Sequence, residues 1–103
     1  MEEITKEELI ELFENREVHF IYLYTPLCGT CQMASKMLEV TETILSIKIY
    51  KKDLNYIPEH AMNWGVQSVP ALIILKEQKI IEKVFAFGSV ENIISIINEH
   101  QNS

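Results

Sequence analysis

Apolar and polar positions change period several times along this chain, and each change marks an element. Leu9, Leu12 and Phe13 recur at helical spacing after Thr5-Lys6-Glu7-Glu8, a capping box in which the Thr5 hydroxyl takes an orphan N–H and Glu8 reaches back. The spacing predicts a first helix over about residues 5–15. "VHFIYLY", 18–24, is β-branched and aromatic and apolar on both faces, which predicts a strand covered by helices on each side. From Gly29 onward Ala34, Met37, Leu38, Thr41, Ile44 and Leu45 fall on one helical stripe. "SIKIYKKD", 46–53, alternates like a second strand, and "IPEHAMNWG" offers Pro58 at a first helical position and Gly65 as a stop for a short third helix. "VPALIIL", 69–75, reads as a central strand with Pro70 at its start, and "KIIEKVF", 79–85, pairs with it across a tight turn at Glu77-Gln78. Ser89 caps a last helix whose buried stripe is Val90, Ile93, Ile94 and Ile97. The order αβαβαββα describes an α/β fold, a mixed central sheet of about four strands flanked by helices on both faces. With no repeat, low-complexity tract or linker, residues 1–103 are expected to form a single domain.

Composition narrows the function. The chain has 103 residues, 48% of them hydrophobic, enough for a real core without disulfide staples. A formal charge of −6 argues against a nucleic-acid partner, which would need clustered Lys and Arg. The one adjacent basic pair, Lys51-Lys52, is expected at a solvated strand end. "MEEITKEELI" is acidic and lacks the features of a signal peptide, and nothing approaches the ~18 consecutive apolar residues of a membrane span. The expected location is therefore cytoplasmic, with no membrane contact. A reducing cytoplasm disfavours a structural disulfide, which pushes a lone Cys-x-x-Cys toward catalysis or metal binding.

That pair stands in "TPLCGTC", where a buried strand hands over to a helix. A cysteine at the first turn of a helix meets unsatisfied N–H groups and the positive end of the dipole, and both favour thiolate. Cys28 is expected there, as the nucleophile. Cys31, one turn inward on the same face, would be the resolving thiol, and Gly29 allows close approach at the tip. Bland readings compete: a buried cysteine is often just a small hydrophobe. Zinc needs four ligands, and His19, His60 and His100 are too scattered to complete a set, so no metal is expected. A cluster shared between two chains is chemically allowed and equally disfavoured.

"YTPLCGTCQMA" followed by "AMNWGVQSVPALIIL" resembles the thioredoxins over nearly the whole chain. The resemblance implies a thioredoxin fold with a cis Val69–Pro70 bond against the cysteines and a substrate groove formed by Leu27, Gly29, Thr30, Val69, Pro70, Phe87 and Gly88. It places the Val69 backbone against an extended substrate. It also implies reduction of protein disulfides through a Cys28/Cys31 cycle by a monomer that binds no cofactor. Its electrons would come indirectly from NADPH through a thioredoxin-reductase-like flavoprotein. Phe87 has an alternative reading as a core aromatic.

The departures from the family sit at the site. Leu27 stands for the usual Trp and narrows or changes the partner range. Thr30 stands for the usual Pro, freeing an N–H and adding a hydroxyl, either of which would make the disulfide more oxidising. Tyr22 occupies the position of the family's buried carboxylate and is a poor base, so resolution by Cys31 is expected to be slow and Tyr22→Asp to speed it. Lys48 is the candidate for the family's partner lysine. "FGSVEN" lacks the glutathione-binding helix start of glutaredoxins, although reduction of another low-molecular-weight thiol adduct stays open. Two further readings remain: a binding adaptor with Leu27, Val69 and Phe87 in its groove and incidental redox turnover, and, with little weight, a thiol peroxidase.

Overall fold

The computed structural model describes residues 1–101. Its elements are β1 (Glu2–Glu3), α1 (Lys6–Glu14), β2 (His19–Tyr24), α2 (Gly29–Leu45), β3 (Ile49–Asp53), a 3₁₀ turn (Leu54–Tyr56), α3 (Pro58–Trp64), β4 (Ala71–Lys76), β5 (Lys79–Val84) and α4 (Val90–Gln101). The sheet order is β1-β3-β2-β4-β5. β3 runs parallel to both β1 and β2, while β4 is antiparallel to β2 and β5 to β4.

Alternation along β2 explains the two-sided cover. Phe20 and Tyr22 join Leu72, Ile74, Leu38 of α2 and Ile93 and Ile97 of α4 in one core. Ile21 and Leu23 join Ile73, Leu75, Leu9 of α1 and Trp64 of α3 in the other. A strand buried on both faces has no polar side to show, which is why its sequence is apolar throughout.

Local signals set most helix ends. At α1 the Glu8 N–H donates to Thr5 Oγ1 at 3.0 Å and the Thr5 N–H to Glu8 Oε1 at 2.9 Å, so both halves of the capping box form. Pro58 opens α3, and Gly65, at φ 70°, closes it. Ser89 Oγ accepts the Asn92 N–H at 3.0 Å at the start of α4. Glu77 and Gln78 both have positive φ, 51° and 66°, as a two-residue hairpin turn requires.

Four expectations need correction. The sheet has five strands, not about four. β1 is two exposed glutamates with no apolar period, and it is held by its neighbours: Lys48 Nζ lies 3.2 Å from Glu2 Oε1, and the Tyr24 hydroxyl donates to Glu3. Lys52 is not at a solvated end. It is buried, with Nζ donating to the Ile4 carbonyl at 2.8 Å, so its ammonium satisfies the backbone just after β1. β3 starts at Ile49 rather than residue 46, because Ser46 ends α2 in the left-handed region at φ 52°. Finally, Ile44 is 57% exposed. The buried line of α2 runs through Cys31, Ala34, Leu38 and Thr41, and Ile44 falls on its flank.

His19 gives this fold a pH dependence. It is half-buried at the start of β2, its Nε2 has no partner among the described residues, and burial pulls its pKa below the ordinary 6.5, with Glu17 opposing. A folded-state pKa below the unfolded one means that the unfolded chain binds the proton first as pH falls. The stability contribution is therefore complete above about 6.5 and is lost as pH drops through the folded-state value. Urea midpoints measured at pH 7 and pH 5.5 should fall more in the wild type than in His19→Val; equal falls would remove the assignment.

Candidate active site

The central strand β2 ends at Tyr24, and the chain turns through Thr25–Leu27 to start α2 at Gly29. Cys28 is the N-cap of that helix, one position before the first turn where the sequence placed it. It is joined by a disulfide to Cys31, with Cα atoms 5.2 Å apart. The two sulfurs are not equivalent. Cys28 is partly exposed, whereas Cys31 is 3% exposed inside the core.

Donors converge on the outer sulfur. Cys28 Sγ accepts the Cys31 N–H at 3.1 Å, and the Thr30 hydroxyl lies 3.4 Å away. The Val69 carbonyl oxygen sits 3.9 Å from the same sulfur. Once the disulfide is opened, negative charge on Cys28 faces a backbone N–H, a hydroxyl and the positive end of a 17-residue helix, which together favour thiolate. The Val69–Pro70 bond is cis, as the resemblance implied.

Beside the pair lies an open trough of about 450 Å³. Of the anticipated groove residues, Gly29, Thr30, Pro70, Phe87 and Gly88 line it. Phe87 serves both readings, since it is 6% exposed, packs edge-on against Tyr22 and still forms part of the wall. Leu27 is not in the trough: it stands fully exposed beside a separate hollow with Thr25, Pro26 and Asn55. Val69 contributes backbone at the sulfur rather than lining.

Met33, Ala34, Met37 and Phe85 complete the trough and were missed as site residues. Met37 was on the helical stripe and Phe85 at a strand end, so both carried only a core signal. Met33 and Met37, four apart on α2, share a face that could have been recognised. No side chain lining the trough is charged.

Tyr22 is wholly buried, and its hydroxyl donates to the Cys31 carbonyl at 2.6 Å. Desolvation raises the phenol pKa above its ordinary 10, which removes it as a base at neutral pH. The ring stacks on Tyr24, centroids 5.7 Å apart. Tyr22→Asp would leave a void and a carboxyl group in an apolar core, a cost to stability that any test of the expected gain in rate must meet first. Lys48 is also corrected: it pairs with Glu2 on the far edge, and the strand register sets Lys51 opposite Tyr22 instead. The Lys51 ammonium lies 5.7 Å from the Tyr24 ring centroid.

Of the three histidines, His19 and His60 belong to no ligand cluster among the described residues. His100 lies with Glu82 and Glu99, a group that includes neither cysteine. Among the described residues no helix is long and apolar enough to cross a membrane.

Comparison with known proteins gives concordant results. The family model described as Thioredoxin matches residues 1–99. A thioredoxin-like protein, YusE, of Bacillus subtilis is 38% identical over 104 residues, covering 100% of this chain and 96% of that protein. A thioredoxin of the same organism is 32% identical over 79 residues, 75% of this chain and 76% of its own length. Among solved structures, a mutant thioredoxin from Halobacterium salinarum superposes with TM-score 0.82 at 21% identity, covering 97% of this chain and 91% of that one. At that identity the likeness speaks to the fold, and it agrees with the mixed sheet and flanking helices described above.

Proposed function

Because the chain belongs to the thioredoxin family, we propose that it is a thiol–disulfide oxidoreductase that reduces protein disulfides through Cys28 and Cys31. The observation that carries this reading is the asymmetry of the pair: an outer sulfur at a helix N-cap with two donors beside it, bonded to an inner sulfur sealed in the core. The Cys28 thiolate attacks one sulfur of a substrate disulfide; that bond breaks, and the first substrate sulfur leaves with the electron pair and takes up a proton. The Cys31 thiol then gives up its proton and attacks Cys28 Sγ. The bond to the substrate breaks, the second substrate sulfur leaves and is protonated, and the Cys28–Cys31 disulfide remains.

Two electrons must later reopen that disulfide. Family membership supports a flavoprotein reductase drawing on NADPH as their source, with no cofactor bound to this chain, a monomeric state and a cytoplasmic location. The uncharged trough suits apolar stretches next to a protein disulfide better than a charged low-molecular-weight thiol adduct. The adaptor reading draws on Leu27, fully exposed at the tip. Partner capture that survives both Cys28→Ser and Cys31→Ser would favour it.

Cys31→Ser tests the main reading. Removing only the second step should leave substrates covalently held on Cys28, visible as thiol-sensitive adducts on non-reducing gels and mapped by mass spectrometry. Adducts on neither cysteine, or equal trapping by Cys28→Ser, would contradict the assigned roles.

A further inference from the structure

Tyr22 is the largest fully buried side chain among the described residues, and its position is over-determined. Its ring is stacked on Tyr24 and meets Phe87 edge-on with centroids 6.3 Å apart. A phenol sealed from water needs a partner, and its hydrogen goes to the Cys31 carbonyl rather than to a sulfur. That carbonyl lies in the first turn of α2, where helix geometry already gives it the N–H of Ser35 as a donor. The phenol adds a second donor from the central strand. The backbone of Cys31 is thus tied to β2 as well as to its own helix, whereas the long-range contact of Cys28, at the cap, is through its sulfur, 3.9 Å from the Val69 carbonyl oxygen.

The chemistry gives this tie a purpose. In the second step Cys31 must approach Cys28 Sγ in line with the bond that breaks, and near-attack geometry tolerates displacements well under about 1 Å without large rate loss. In the first step the Cys31 sulfur makes and breaks no bond, and only its backbone N–H faces the Cys28 thiolate. The Tyr22 tie is made to the Cys31 carbonyl and not to the N–H that faces Cys28 Sγ, so its loss bears on the resolving half more than on the first attack. We propose that Tyr22 is a positioning residue for the resolving half-reaction, its hydroxyl setting the depth of Cys31 beneath Cys28. This rests on the exchange reading above.

The test mixes reduced protein with a symmetrical nitroaryl disulfide in a stopped-flow instrument. One coloured thiolate appears when Cys28 attacks and a second when Cys31 resolves the adduct. Tyr22→Phe keeps the ring and removes the bond; its first release should match the wild type within about twofold and its second should slow about tenfold, the scale of one lost hydrogen bond. A purely structural role would lower the melting temperature and leave the ratio of the two releases unchanged, and that result would overturn the proposal. So would equal slowing of both steps. A wild-type protein that gives neither release would remove the exchange reading itself, a different failure.

Discussion

Cys28→Ser is expected to lower protein-disulfide reduction to the level of the uncatalysed assay, a loss of about 10³-fold or more on the precedent of deleted nucleophiles. The reason is local. A serine hydroxyl at the same N-cap would still accept the Cys31 N–H now bonded to Cys28 Sγ, so the helix keeps its cap and the fold should survive. What disappears is a group that ionises near neutrality: the helix end and the Thr30 hydroxyl can draw a thiol into the range of thiolates but cannot do so for an alcohol. Cys31 cannot substitute, because at 3% exposure its sulfur cannot meet a protein substrate. An insulin-disulfide turbidity assay, with circular dichroism to confirm folding, measures this. Retention of even a tenth of the activity in a folded variant would place the nucleophile elsewhere.

Tyr22→Asp should have the largest effect on stability, a loss that would mask any gain in rate from the carboxylate. Replacing a fully buried aromatic ring by a short side chain costs about 3–5 kcal/mol in lost burial and cavity. The carboxyl then sits among Phe20, Leu38, Leu72 and Ile74, and even when protonated it adds roughly 1–3 kcal/mol for imperfect hydrogen bonding. Against a total stability of about 5–15 kcal/mol, the variant should be largely unfolded or melt tens of degrees lower. Thermal unfolding measures this directly. A melting temperature within about 5 °C of wild type would show that the core relaxes around the aspartate or admits water, and would reopen the kinetic question.

Legibility followed the range of the interaction. The capping box at Thr5, Pro58 and Gly65 around α3, and the cap at Ser89 are satisfied within a few residues, so the sequence displays them. β1 is the opposite case. Glu2 and Glu3 have no apolar period and become a strand because Tyr50 and Lys51 offer an open edge across more than 45 residues of chain, with Lys48 and Tyr24 to hold their side chains and Lys52 to hold the Ile4 carbonyl just after them. Lys52 misled for the same reason: its neighbours in sequence are polar, but its partner is a carbonyl 48 positions away. At the site, the cysteines and Pro70 were visible as motif, whereas Met33, Met37 and Phe85 became a trough wall only when α2 and the end of β5 came together.

By itself the sequence determined the period of every helix and of β2 to β5, the burial of β2 on both faces and the placing of two sulfurs three residues apart at a helix start. These depend on backbone geometry that any chain with this pattern must obey. Tertiary structure decided the rest: that Leu27 stands outside the trough, that Val69 brings its carbonyl to Cys28 from 41 residues away, and that the Tyr22 phenol takes the Cys31 carbonyl as its partner. Those are contacts between segments distant in the chain, chosen by how the two cores pack, and no local pattern encodes them.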